Sequence, residues 1–471
     1  MDTDAAAPGQ TSERQAGQPG SLLDRMALAV SLLAALFLCF VVGAWVVLAQ
    51  VFPYPWLAQA YEGGRALLEK ETQYRDPYRT DFWKPVRTAA TGVVRYDPAK
   101  AQQGLTLYTS GHEARADLVA MDGEVVHTWQ LPFSAVWDES SPIADPQPDD
   151  FIYWRKAMVY PNGDLLAVYV ASGDSPWGYG LVRIDKDSNL VWKYLGQTHH
   201  DVDLGEDGRI YALTHEIRHN EYQDFPQLAV PRIDDFVVVL SPDGEELQKV
   251  SLADALINSP YARLLTRVVW YTKGDYLHTN GIDVVEPDDA AALPLAPFVK
   301  AGQVLLSFRE IDTLALLDLE QERIVWAVRG PWLAQHDPDI LEDGNILLFD
   351  NLGRFLDADG SDAEGGGGRS RIIEFDPSTT EIVWQYAGTP EDPFDSDVRA
   401  SQERLANGDT LITEETGGRI LEVTPEGEIV WEFVNPVRAE GRGEGGGDMI
   451  PIVSFAQRID PASLDPGFLA R

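Results

Sequence analysis

At 471 residues the chain is too long for one small domain and long enough for a closed all-β body with appendages. Its formal net charge is −38, from 75 acidic against 37 basic residues, which argues against nucleic acid or an anionic lipid surface as a partner of the body. Cys39 is the single cysteine and lies in an apolar run, so the remainder can form neither a disulfide nor a thiolate zinc site.

Residues 1–24, rich in Ala, Gly, Ser, Gln and Asp, read as a disordered tail. Residues 26–52 carry no charged side chain. That run exceeds the roughly 20 residues needed to cross a bilayer and the roughly 7–15 of a cleavable signal. The expectation is an uncleaved transmembrane anchor helix over 25–52, against a competing small-residue cleavage pattern at Leu57-Ala58-Gln59-Ala60. The flanking charges, Arg14 and Arg25 before the span and Arg65, Lys70, Arg75 and Arg79 after it, do not favour an outside body by the positive-inside rule. Large folded bodies translocate regardless of nearby charge. The body is therefore expected on the periplasmic or extracellular side of the cell (inner) membrane, on a single span. Residues 53–95, with a short helical pattern from Tyr61 to Tyr74, read as a membrane-proximal stem, and 461–471 as a C-terminal tail.

From about Val94 onward a unit recurs: an apolar strand, a turn of Asp, Pro and Gly, then a strand ending on Val-Trp. It runs from Ala116 to Trp129, Leu181 to Trp192, Leu314 to Trp326, Arg371 to Trp384 and Arg419 to Trp431, with a copy lacking Trp from Phe236 to Val250. Each is preceded by a hairpin expected at Gly104, Gly163, Gly208, Gly302, Gly344 or Gly408. Six units of about four strands predict an all-β, six-bladed β-propeller over residues 96–460, with a sandwich as the structural alternative. The terminal tryptophans are expected to pack blade on blade. Closure is expected from the late strand Pro451 to Ile459. Residues 359–368 and 440–447 read as mobile loops.

The block from Gln335 to Asn351 predicts a strand, a tight Asp-Gly turn and a returning strand, which brings His336 near Asn351. A similar layout spans Gln197 to His215. His200 and His336 each stand eight positions before a turn glycine, where two other units have Arg155 and Ala400. Blade geometry therefore does not demand imidazole there. Together with Leu277-His278-Thr279-Asn280 and Ser307-Phe308-Arg309, these hairpins should deliver His200, His215, His278, Asn280, Arg309 and His336 to one face. His219, like His215, is open to either a functional or a structural role, His199 reads as a neighbour, and His112 and His127 read as structural. Metal binding through these imidazoles with Asp201, Asp337 or Asp350 is one possibility. An arginine among them opposes a cation and suits a tetrahedral oxyanion, with imidazole available as a covalent group carrier.

The segments Leu277 to Asn280, Ser307 to Arg309, Gln335 to Asn351 and Arg404 to Ile412 resemble the bacterial arylsulfate sulfotransferase family, in the right order over about residues 100–460. The resemblance implies a six-bladed propeller that moves a sulfuryl group from an aryl sulfate donor to a phenolic acceptor through a sulfated histidine, without a nucleotide donor, cofactor or metal. It implies His336 as nucleophile, with Arg309, His278 and Asn280 binding the sulfuryl oxygens and His200 as a further imidazole. His215 and Asn351 are candidate substrate contacts. Two other functions fit the same residues: a non-catalytic propeller serving as scaffold in a membrane complex, and a metal-dependent sulfate or phosphate ester hydrolase.

Overall fold

A computed structural model of the chain describes residues 22–49, 51–54, 76–228, 230–268, 274–354 and 369–469 and divides into two units, residues 1–72 and 73–471. Of the tail expected at 1–24, residues 1–21 lie outside the described residues, as do the helical pattern from Tyr61 to Tyr74 and the loop at 359–368, while residues 22–24 belong to the helix. Within the first unit, Leu22–Ala49 is one helix of 28 residues. At about 1.5 Å per residue it extends about 42 Å, more than the ~30 Å hydrocarbon layer. It is long and apolar enough to cross a membrane.

The second unit is a six-bladed β-propeller. Blade 2 consists of Ile152–Val159, Leu165–Ala171, Gly178–Ile184 and Leu190–Tyr194; blade 3 of Thr198–Leu204, Ile210–Arg218, Arg232–Leu240 and Glu246–Ser251. Blade 4 is Thr279–Val284, Val304–Phe308, Thr313–Asp318 and Arg323–Arg329; blade 5 is His336–Ile340, Ile346–Asp350, Arg371–Phe375 and Ile382–Tyr386. Five of the six turn glycines sit at positive φ, between 79° and 91°, at Gly163, Gly208, Gly302, Gly344 and Gly408. Only glycine enters that region without a steric penalty.

Gly104 closes no hairpin. In blade 1 the strands Leu105–Ser110, Arg115–Val119 and Val125–Gln130 take their innermost partner from the far end of the chain, Val453–Ile459. Blade 6 (Ser401–Arg404, Thr410–Glu414, Arg419–Val423, Ile429–Val434) gains an outer fifth strand, Gly92–Tyr96. Both chain ends of the body thus clasp the ring. Within the stretch read as a stem, Trp83–Pro85 also pairs with Met449–Pro451.

Two devices join neighbouring blades. Blade-ending tryptophans donate Nε1–H to a backbone carbonyl of the next blade: Trp129 to Gly163 at 2.9 Å, Trp192 to Pro242 at 3.2 Å, Trp384 to Pro425 at 2.8 Å and Trp431 to Met121 at 2.9 Å. Along the axis, carboxylates of one innermost strand accept an amide N–H of the next. Asp203 takes Val284 N–H at 2.8 Å, Asp283 takes Ile340 N–H at 2.7 Å, Asp337 takes Gln402 N–H at 3.0 Å and Glu403 takes Arg458 N–H at 2.8 Å.

Candidate active site

The first strand of a blade carries a register break near one end: between Trp154 and Ala157, Thr198 and Val202, Thr279 and Gly281, and His336 and Asp339. A bulge bends the strand and re-aims the side chains beside it. Left-handed backbone accompanies it at His200 (φ 50°), His278 (48°), Asp337 (52°) and Arg399 (60°). Such φ values are costly for residues with a Cβ and cluster at functional sites. Here they turn side chains from blades 2 to 6 toward one cavity of about 480 Å³, whose lining includes Arg155, His200, His278, Arg309, His336 and Arg399. Arg79 to Phe82, from the N-terminal segment of this unit, complete it.

His336 is buried, and its Nδ1 lies 2.7 Å from Asn351 Oδ1. The orientation of that amide follows from its other end, because Asn351 Nδ2 donates to Ser396 O at 2.7 Å and to Arg399 O at 2.8 Å. Oδ1 must then accept from His336 Nδ1–H, which leaves Nε2 with the lone pair. Nε2 has no protein partner. Burial, then the Arg309 and Arg155 guanidinium groups, hold the ring's pKa well below the usual histidine range. The low pKa favours the neutral imidazole, with the lone pair on the unpartnered Nε2.

The cavity also presents cationic donors. Arg309 pairs with Glu310 at 2.5 Å, and Arg155 lies 3.8 Å from Glu415 and donates to Ser454 O. The Nε–H groups of both arginines are buried without a protein partner. His278 Nδ1 bonds Asp275, and its ring stacks on Trp177 with centroids 5.2 Å apart. Although burial pushes the Asp275 carboxyl up, His278 overrides it and the net pKa is lowered. Arg399 pairs with Asp81 and reaches Glu415 at 3.4 Å.

His200 Nδ1 lies 2.7 Å from His199 Nδ1. Burial, then the neighbouring His278, hold both rings' pKa low, to about 3 for His199. His199 stacks on His215 with centroids 4.3 Å apart. His215 is buried behind the lining, as is Asn280, whose Nδ2 donates to Gln335 O at 2.8 Å. Of the residues expected at the site, His200, His278, Arg309 and His336 line the cavity, whereas His215, Asn280 and Asn351 do not; His215 packs on Trp177 and Asn351 bonds His336, both of which line it, and Asn280 bonds Gln335, next to His336.

Arg155, Arg399, Asp275 and Trp177 went unread. The signal for Arg155 was present, since it occupies the same position before its turn glycine as His200 and His336. For Asp275 and Trp177 the sequence offers no marker: both stand in connections whose path depends on the packed ring.

His199, His215 and Asp235 bring one ligand atom each within 4.8 Å of one another, a donor set of the kind divalent ions use. Gly178 N–H donates to His215 Nε2 at 3.1 Å, which leaves the proton of the neutral ring on Nδ1 and no lone pair there for a metal. Of the other carboxylates considered for a metal, Asp201 is held by Lys156 at 2.5 Å and Ile282 N–H, and Asp350 by Arg371 and two backbone amides. Asp337 accepts from Gln402.

Solved structures similar to the chain include a protein of unknown function from Bacteroides caccae (12% identity, covering 74% of this chain and 99% of that one, TM-score 0.44). Others are the WD40 β-propeller domain of Doa1 (11%, 82% and 100%, 0.39) and virginiamycin B lyase from Staphylococcus aureus (12%, 60% and 69%, 0.33). None of these likenesses bears on function. No curated protein matches the chain. The family model for arylsulfotransferase (ASST) matches residues 156–436, well over half of the chain and a span that holds His200, His278, Arg309, His336 and Asn351. The chain belongs to the arylsulfotransferase family.

Proposed function

We propose that the protein transfers a sulfuryl group from an aryl sulfate ester to a phenolic acceptor, with His336 as the covalent carrier. The observation that carries this reading is the free lone pair on His336 Nε2, fixed by Asn351, on a residue that lines one cavity with Arg309 and Arg155, whose buried Nε–H groups have no protein partner. His336 Nε2 attacks the sulfur, the sulfur–oxygen bond to the aryl group breaks, and the leaving aryloxide takes a proton from a cavity imidazole, His200 or His278. Arg309 and Arg155 donate to the sulfuryl oxygens as charge shifts, the role of preorganised donors in group transfer. The acceptor phenol then attacks the sulfur, the nitrogen–sulfur bond breaks and the phenol loses its proton, restoring neutral His336. No nucleotide donor enters this scheme. Asn280 and His215 act from behind the lining, as positioning residues.

Release of nitrophenol from p-nitrophenyl sulfate tests this. The expected result is turnover that depends on added phenol, survives EDTA and is lost in His336→Ala. Acceptor-independent release abolished by EDTA would favour a hydrolase, and no release would favour a binding role.

The apolar helix is read as an uncleaved anchor in the cell (inner) membrane with the propeller outside the cytoplasm. Retention in the membrane pellet after alkaline carbonate washing, with the propeller digested by protease added to spheroplasts, is expected. Release by the wash would overturn the anchor.

A further inference from the structure

From the cavity inward runs a row of polar groups of which the transfer scheme uses only His200. His200 lines the cavity, and its Nδ1 is taken by His199 Nδ1 at 2.7 Å, so only Nε2 is left for a substrate. Two facing Nδ1 atoms share a single proton. His199 then has one remaining nitrogen, Nε2, which is buried, has no hydrogen-bond partner in the protein and lies 3.6 Å from Asp235 Oδ1. The other oxygen of Asp235 is fixed by Thr279, which donates N–H at 2.8 Å and Oγ1–H at 2.7 Å. His215 holds the plane of His199 by stacking, and its own tautomer is set by Gly178 N–H. Asp275, His278 and Trp177 pack beside the row.

We propose that Asp235, His199 and His200 form a proton relay, which rests on the sulfuryl-transfer reading and makes His200 the acid of its first half and the base of its second. In the loaded state Asp235 is protonated, the 3.6 Å gap closes to hydrogen-bond distance, and its O–H donates to His199 Nε2. His199 Nδ1–H donates to His200 Nδ1, and His200 Nε2–H faces the cavity. When the sulfur–oxygen bond breaks, that proton passes to the aryloxide, His199 Nδ1–H moves to His200, and the Asp235 proton moves to His199 Nε2. One proton has left the protein, and Asp235 is now the carboxylate. The acceptor phenol returns a proton to His200 Nε2 and the row resets. Neither imidazole passes through the cationic form that burial disfavours. The Asp235 carboxyl, pushed up to about 7 by burial and then by Asp275, holds a proton near neutrality.

A packed core would also bury these rings, but it would not require the rate to depend on the leaving group. The test compares the single-turnover burst from phenyl sulfate, whose aryloxide needs a proton, with that from p-nitrophenyl sulfate, whose aryloxide does not. Asp235→Asn keeps the shape and the Thr279 contacts but cannot carry the proton. It is expected to slow phenyl sulfate about 100-fold more than p-nitrophenyl sulfate, within the range of general acid catalysis. His199→Gln breaks the row without touching Asp235 and should show the same selective loss, so one misfolded variant does not remove the test. Equal slowing of both donors in the variants that keep a cooperative melt would overturn the relay while leaving the transfer reading in place. A wild-type protein with no burst on either donor would overturn the transfer reading, and the relay with it.

Discussion

Asn351 decides which nitrogen of His336 keeps its lone pair, although it does not line the cavity. Its amide is oriented by two backbone carbonyls of the segment leading into blade 6, so the tautomer of a blade 5 histidine is set from outside its own blade. Asn351→Ala removes a buried hydrogen bond of about 1–3 kcal/mol, which corresponds to roughly 10–100-fold in rate if it acts mainly in the transition state. Burst kinetics should show that loss in the rate of the first half-reaction with the donor KM nearly unchanged; a loss in KM alone would contradict it. The pKa of His336 makes a second demand. Burial, then Arg309 and Arg155, disfavour the imidazolium, so the neutral nucleophile persists as pH falls through the ordinary histidine value of about 6.5. The acid limb of kcat/KM for the donor should lie below that value, and a midpoint at or above it would contradict the assignment.

The elements that hold the site in place are the innermost strands, with their bulges at one end and carboxylate latches along the axis. Asp283 shows what a latch does. It accepts Ile340 N–H at 2.7 Å, while burial and then Asp203 raise its pKa well above the usual carboxylate range. Because the folded value exceeds the unfolded one, its contribution to stability is present below about pH 4 and lost as pH rises through the raised value. Asp283→Asn keeps the acceptor without the charge and should melt at or above the wild type at pH 8, with the difference closing near pH 4. Asp283→Ala leaves a buried amide unpaired and should cost about 1–3 kcal/mol at either pH. Melting curves at the two pH values check both, and equal losses in the two variants would contradict the latch. These latches could not be read from the sequence, where Asp203, Asp283 and Glu403 look like surface acids of an acidic chain. The blades themselves were legible, because Asp-Gly and Asn-Gly turns between apolar runs repeat with the Val-Trp ending. Gly104 was misread for a non-local reason: the partner of its strand stands more than 300 residues away, at Val453–Ile459.

At the scale of the whole body, ring closure turns scattered residues into a site. His200, His278, Arg309 and His336 come from blades 3, 4 and 5, while Arg155 comes from blade 2 and Arg399 from the lead into blade 6. Hairpin geometry made the convergence of the first four legible. Arg155 was marked by its place before the turn glycine, whereas Arg399, which pairs with Asp81, and the N-terminal segment from Arg79 to Phe82 depend on how the ends of the body pack on the ring. In a chain of net charge −38, a cavity with guanidinium groups on several sides is where an anionic ester would bind. By the proposed reading, this convergence makes His336 a carrier of the sulfuryl group. Mass spectrometry of the full-length protein after incubation with p-nitrophenyl sulfate and no acceptor tests it most directly. One sulfuryl group per chain is expected, mapped to His336 and discharged by added phenol. An unmodified protein that still turns over, or a sulfuryl group mapped to His200 or His278 instead, would contradict it.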